Sequence, residues 1–165
     1  MKLQKQVCTL EQAKRLKELG VKPTNTNQLN LEWYLVAEYD EEGETVIEWH
    51  DALCFNDGTH DAKCLTELPL NCTTSSGEFC DYKGGYPAYT VAELGEMLPF
   101  RVGSDYLVTW APQGGVASHN DKWLCHYVVN ELSELGGTQV VGETEAEVRA
   151  AMLIHLIENG LIEKK

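Results

Sequence analysis

Three short stretches fix where helices begin in this chain: Thr9-Leu10-Glu11-Gln12, Thr90-Val91-Ala92-Glu93 and Thr144-Glu145-Ala146-Glu147. Each is a capping box. The Thr hydroxyl accepts from the backbone amide three residues on, while the Gln or Glu side chain reaches back to the Thr amide. The first helix is expected over Leu10 to Leu19, with Leu10, Ala13, Leu16 and Leu19 on one side, Lys14, Arg15 and Lys17 toward water, and Gly20 as its stop. The second, Val91 to Leu98, ends against Pro99. The third, Glu145 to Glu158, is apolar around most of its circumference, which calls for burial on more than one side, by its own sheet or by a second copy of the chain.

Between the helices, aromatic and β-branched runs predict strands over Leu31 to Tyr39, Thr45 to Trp49, Tyr106 to Ala111 and Trp123 to Asn130, with a short fifth at Thr138 to Val141. Asp40-Glu41-Glu42-Gly43-Glu44 reads as the hairpin loop joining the first two. From Leu53 to Pro87 the composition turns to Asn, Asp, Gly, Thr, Ser and Cys, an irregular, loop-rich insertion. The expected class is α+β: an antiparallel sheet of four or five strands with three helices, in a single domain over 1–165. A chain of 165 residues is the usual size for that. No apolar run approaches the roughly 20 residues of a membrane span.

The segments 7–20 (Val7-Cys8-Thr9-Leu10 through Leu19-Gly20), 89–99 (Tyr89-Thr90-Val91-Ala92 through Leu98-Pro99) and 145–159 (Glu145-Ala146-Glu147-Val148 through Glu158-Asn159) carry a resemblance. In that order they resemble a family of small hypothetical proteins encoded by bacteriophages, prophages and gut Bacteroidetes genomes. The resemblance covers about a quarter of the chain and implies a phage or mobile-element origin and a bacterial cytosol. It implies no reaction, and nothing in it corresponds to 54–82.

Charge is unevenly distributed. Of 26 acids and 13 bases, residues 1–22 hold six bases and two acids, so a basic head precedes a strongly acidic body. Such a body repels phosphate backbones, which disfavours nucleic acid as a partner. Met1 to Val7 has two lysines but no apolar core after them, so no secretory signal is expected and a cytoplasmic site follows. Six cysteines in a chain of this size are then expected as thiols.

The residues with the most chemistry form a duplicated pentapeptide, His50-Asp51-Ala52-Leu53-Cys54 and His60-Asp61-Ala62-Lys63-Cys64. Two His and two Cys suggest zinc held by His50, Cys54, His60 and Cys64. If each pentapeptide were a helical turn, His and Cys at i and i+4 would share a face. A hairpin argues otherwise. With a three-residue turn at Asn56-Asp57-Gly58, Cys54 would face His60 and His50 would face Cys64, but residues 50 and 54 would lie about 13 Å apart along the strand. With a two-residue turn, Cys54 and Cys64 would point to opposite faces.

No complete catalytic motif is present. Cys125 and His126 are neighbours on an expected strand and so point to opposite faces, and His119 is six residues before Cys125. Gly84-Gly85 and Gly114-Gly115 lack the Lys and spacing of a phosphate-binding loop. His155 sits in the apolar third helix, as packed histidines do. Trp33, Trp49, Trp110 and Trp123 fall on or beside strands and are expected in the core, any that face outward marking an interface. The expected function is therefore that of a phage or mobile-element accessory protein, non-enzymatic, binding another protein through an acidic surface. Residues 32–67 hold eleven acids against Lys63 alone. A small zinc protein using the quartet is the alternative, and a cysteine-dependent enzyme the third.

Overall fold

The computed structural model describes residues 3–23, 30–56, 63–72, 81–112, 122–128 and 138–163. Its elements, in chain order, are α1 (Leu10–Glu18), β1 (Asn30–Tyr39), β2 (Val46–Asn56), β3 (Lys63–Cys64), β4 (Tyr82–Pro87), α2 (Val91–Met97), β5 (Arg101–Val102), β6 (Asp105–Trp110), β7 (Trp123–Val128), β8 (Gln139–Gly142) and α3 (Glu145–Glu158). Single 3-10 turns lie at Leu3–Gln6 and Leu70–Cys72. The class is α+β, with three α-helices and only antiparallel pairing among the described residues. The strands are shared between two sheets, ordered β3-β2-β1-β4 and β5-β6-β7-β8. No helix among the described residues is long and apolar enough to cross a membrane.

The chain forms two compact units. One is built from residues 1–24 and 89–165, the other from residues 25–88. In the first, the caps form largely as their spacing requires. Gln12 and Glu93 donate their amides to Thr9 and Thr90, and both side chains return the bond to the Thr amide. At α3 only half of the box closes. Thr144 accepts from the Glu147 amide at 3.1 Å, but the Glu147 carboxylate takes the amide of Glu143 instead.

α3 buries Ala146, Val148, Ala150, Met152, Leu153, Leu156 and Ile157, and it packs on α1, α2, β7 and β8. Its apolar girth is thus covered within its own unit. Gln12 Nε2 donates to the Glu147 carbonyl at 2.9 Å, and Arg15 pairs with Glu158 at 2.7 Å, tying α1 to the two ends of α3. Tyr89 is fully buried: its carbonyl accepts from the Cys8 N–H of the N-terminal segment at 2.9 Å, and its hydroxyl donates to the Val21 carbonyl at 2.9 Å.

The second unit is the sheet that the composition of 53–87 conceals. β2 runs on to Asn56, β3 pairs with it through Cys54↔Cys64 and Phe55↔Lys63, and β4 adds to the far side of β1. Cys54 opposes Cys64, not His60 as a three-residue turn at Asn56-Asp57-Gly58 would have it, and residues 57–62 lie outside the described residues. On β4, Trp33↔Tyr86 is followed by Tyr34↔Gly84, so the strand bulges at its glycine pair. Gly84 and Gly85 both have positive φ, at 116° and 81°, which suits them to that bulge. Trp33 is buried, whereas Trp110 is 54% exposed on β6.

Candidate functional site

Strand alternation sorts the chemistry of the second unit onto one face. Register places Glu38 opposite Glu48, Val36 opposite His50, Tyr34 opposite Ala52 and Glu32 opposite Cys54, and β3 continues the last row with Cys64. Along this face an acidic end gives way to an apolar middle and then to a thiol end. The other face carries Trp33, Leu53 and Trp49, with the Lys83 ammonium 3.9 Å from the Trp49 ring centre.

At the acidic end the β1–β2 loop is tightly built. Asp40 N donates to the Thr45 carbonyl at 2.9 Å, Gly43 N to the Asp40 carbonyl at 3.0 Å, and Glu44 N to the Asp40 carboxylate at 2.8 Å. That last bond holds the Asp40 carboxyl below its ordinary range. With Asp40 committed to the turn, Glu41, Glu42 and Glu44 are left to solvent, and every residue from 41 to 48 is exposed. Ile47, 59% exposed, stands among them.

Behind the loop, His50 Nε2 lies 2.6 Å from a Glu38 carboxylate oxygen. Glu48 brings a third ligand atom, all three lying within 4.8 Å of one another. Among the described residues this is the only set of three such atoms close enough to share an ion. It differs from the sequence-derived quartet. His50 is four residues along β2 from Cys54, about 13 Å at the rise of a strand, and bonds to Glu38 rather than to either thiol. His60 lies outside the described residues. Cys54 and Cys64 are brought together.

At the thiol end, Cys54 is fully buried in a cluster with Val36, Ala52 and Cys72, and Cys64 and Leu68 pack against it half-buried. Cys64 Sγ is 3.1 Å from the Thr66 hydroxyl oxygen. The Cys54 thiol, by donating to Cys64, and then the Thr66 contacts hold Cys64 down to about 6. The same bond, with burial, pushes Cys54 up. The cysteines of the other unit behave differently: burial pushes Cys8 up to about 12 and raises Cys125, whose sulfur accepts weakly from Thr109 at 3.9 Å.

Burial outweighs the lowering by Thr109 and Arg149, so Cys125 lacks the accessible setting that activates a thiol. Its neighbour His126 packs edge-on against Trp110, their ring centres 5.9 Å apart. His119 lies outside the described residues. His155 is held by the Thr138 hydroxyl and the Asn159 amide. The partners that the sequence reading lacked are Glu38, Glu48 and Thr66. Glu48 had a signal in the alternation Glu48-x-His50-x-Ala52-x-Cys54, which puts all four on one face of β2, whereas Glu38 joins them only through the pairing of β1 with β2. Comparison of the chain with protein-family models, with curated proteins and with solved structures finds no match in any of the three.

Proposed function

We propose that this chain is a binding protein that docks its acidic β1–β2 hairpin onto a basic surface of a partner protein, in the bacterial cytosol of the phage or mobile-element setting that its helices resemble. The observation that carries the reading is the hairpin end itself: a hydrogen-bonded turn that leaves Glu41, Glu42 and Glu44 exposed, followed at the start of β2 by exposed Ile47 and Glu48. A fixed backbone lowers the ordering cost of docking, and an apolar residue among like charges gives a partner something to bury.

The test is capture of partners from a bacterial lysate at about 0.1 M and about 1 M salt, between which the screening length falls from about 10 Å to about 3 Å. The wild type should retain a partner only at the lower salt. The combined variant Glu41→Lys, Glu42→Lys and Glu44→Lys should lose it, while Lys14→Ala on α1 should keep it. A partner held equally at both salts and by the charge-reversed variant would count against the reading.

A metal-binding role is the second reading, and the Glu38, Glu48 and His50 set favours it over the duplicated pentapeptide. Elemental analysis of untagged protein purified without added metal tests it. Near-stoichiometric metal that is lost in His50→Ala and kept in Cys64→Ser would support the reading; no metal, or loss in Cys64→Ser alone, would remove this set from it.

A further inference from the structure

Leu65 N donates to the Leu53 carbonyl at 2.8 Å. In an antiparallel ladder that bond brackets the pair between, so Cys54 and Cys64 face each other as a non-hydrogen-bonded pair. Residues in such a pair have Cα atoms about 4.5 Å apart and side chains that approach on one face of the sheet. A disulfide accepts Cα separations of about 4.4–6.8 Å, so a bond between these two sulfurs can close without moving the strands.

The two thiols are not equivalent. Cys54 is fully buried in the central strand β2. Cys64 ends β3, the short outer strand of this sheet, and is half-buried with the Thr66 hydroxyl beside its sulfur. A reagent can reach Cys64 and, only through it, Cys54. We propose that Cys54 and Cys64 are a redox-active dithiol, in which accessible Cys64 attacks a small-molecule disulfide and buried Cys54 resolves the adduct into a cross-strand disulfide.

The exchange balances as follows in atoms and electrons. Cys64 thiolate attacks one sulfur of the small disulfide; a new S–S bond forms, the old one breaks, and half of the reagent departs as a thiolate. Cys54 Sγ then attacks the Cys64 sulfur. The protein disulfide forms, the second half of the reagent leaves, and the Cys54 proton goes to it, making it a thiol. One cysteine thiolate and one cysteine thiol are oxidised to the disulfide, and one small disulfide is reduced to one thiolate and one thiol. The charge states suit these roles: Cys64 is held down and Cys54 pushed up, which gives a nucleophile beside a thiol that keeps its proton until the resolving step.

The test exposes the full chain to oxidised glutathione, quenches with an alkylating agent over a time course, and maps all six cysteines by peptide mass spectrometry. The expected result is a transient glutathione adduct on Cys64, followed by a peptide cross-linking Cys54 to Cys64. Cys54→Ala, close in volume to the thiol, should trap the adduct on Cys64. Cys64→Ser, a change at a half-buried site, should abolish reaction at Cys54. Should Cys54→Ala fail to fold, the order of adduct and cross-link in the wild type still decides. The proposal is overturned by a Cys64 adduct that persists unresolved in the wild type, by a cross-link that joins Cys64 to another cysteine, or by no reaction at either position.

Discussion

Two cysteines that differ little in sequence context take opposite characters because one hydrogen bond gives one of them the proton. Cys64 should therefore alkylate as a thiolate over a range where free cysteine is largely protonated. With Cys64 held down to about 6, against about 8.5 for an unperturbed thiol, its reaction rate with iodoacetamide should fall about tenfold between about pH 7 and pH 5. The sign is fixed by the depressed value: reactivity is present above it and lost as pH falls through it. A rate that instead rises steadily through about pH 8.5 would show Cys64 to be an ordinary thiol. The pairing behind this was only half legible. The duplicated pentapeptide singles out Cys54 and Cys64, but which residues oppose each other depends on the register of β2 against β3, and a shift of one residue moves a side chain to the other face. The Thr-x-x-Gln and Thr-x-x-Glu caps were readable because donor and acceptor are three residues apart and need no distant partner.

At the scale of the element, β4 explains why a strand can be invisible in sequence. Tyr82-Lys83-Gly84-Gly85-Tyr86-Pro87 has two glycines and a proline in six residues, the composition of a turn. It pairs only with β1, so it is an outer strand, where proline needs no second ladder and a bulge absorbs the extra glycine. Position 84 is the sensitive one. Its φ of 116° excludes side chains, and a Cβ there would meet the Tyr86 ring at 2.7 Å. Gly84→Ala should lower stability by about 1–3 kcal/mol, measured as a reduced urea midpoint. An unchanged midpoint would mean that the bulge is not fixed as described. The long helices and the strands β1, β6 and β7 lie close to where periodicity put them, because each has an apolar pattern that its own length can express.

For the molecule as a whole, the sequence indicated α+β and antiparallel pairing but not that the strands divide between two sheets. Partners in a sheet are chosen by contacts far apart in the chain, and an alternating pattern records that a face is buried without recording against what. Charge follows the division. Residues 25–88 carry thirteen acids against Lys63 and Lys83, so the acidity of the chain is concentrated in one unit, while the other is nearly balanced. The bond from the Tyr89 hydroxyl to the Val21 carbonyl gives that division a practical meaning. It holds the point where the chain leaves the helical unit beside the point where it returns, within the reach of a few linker residues at about 3.5 Å each. Residues 25–88 can thus be cut out and the gap closed with a short Gly-Ser bridge. The product should unfold as one cooperative transition, retain its helical circular dichroism, and no longer retain the salt-sensitive partner. Failure to fold would mean that the acidic segment is a structural requirement rather than a cargo carried between two tethered ends.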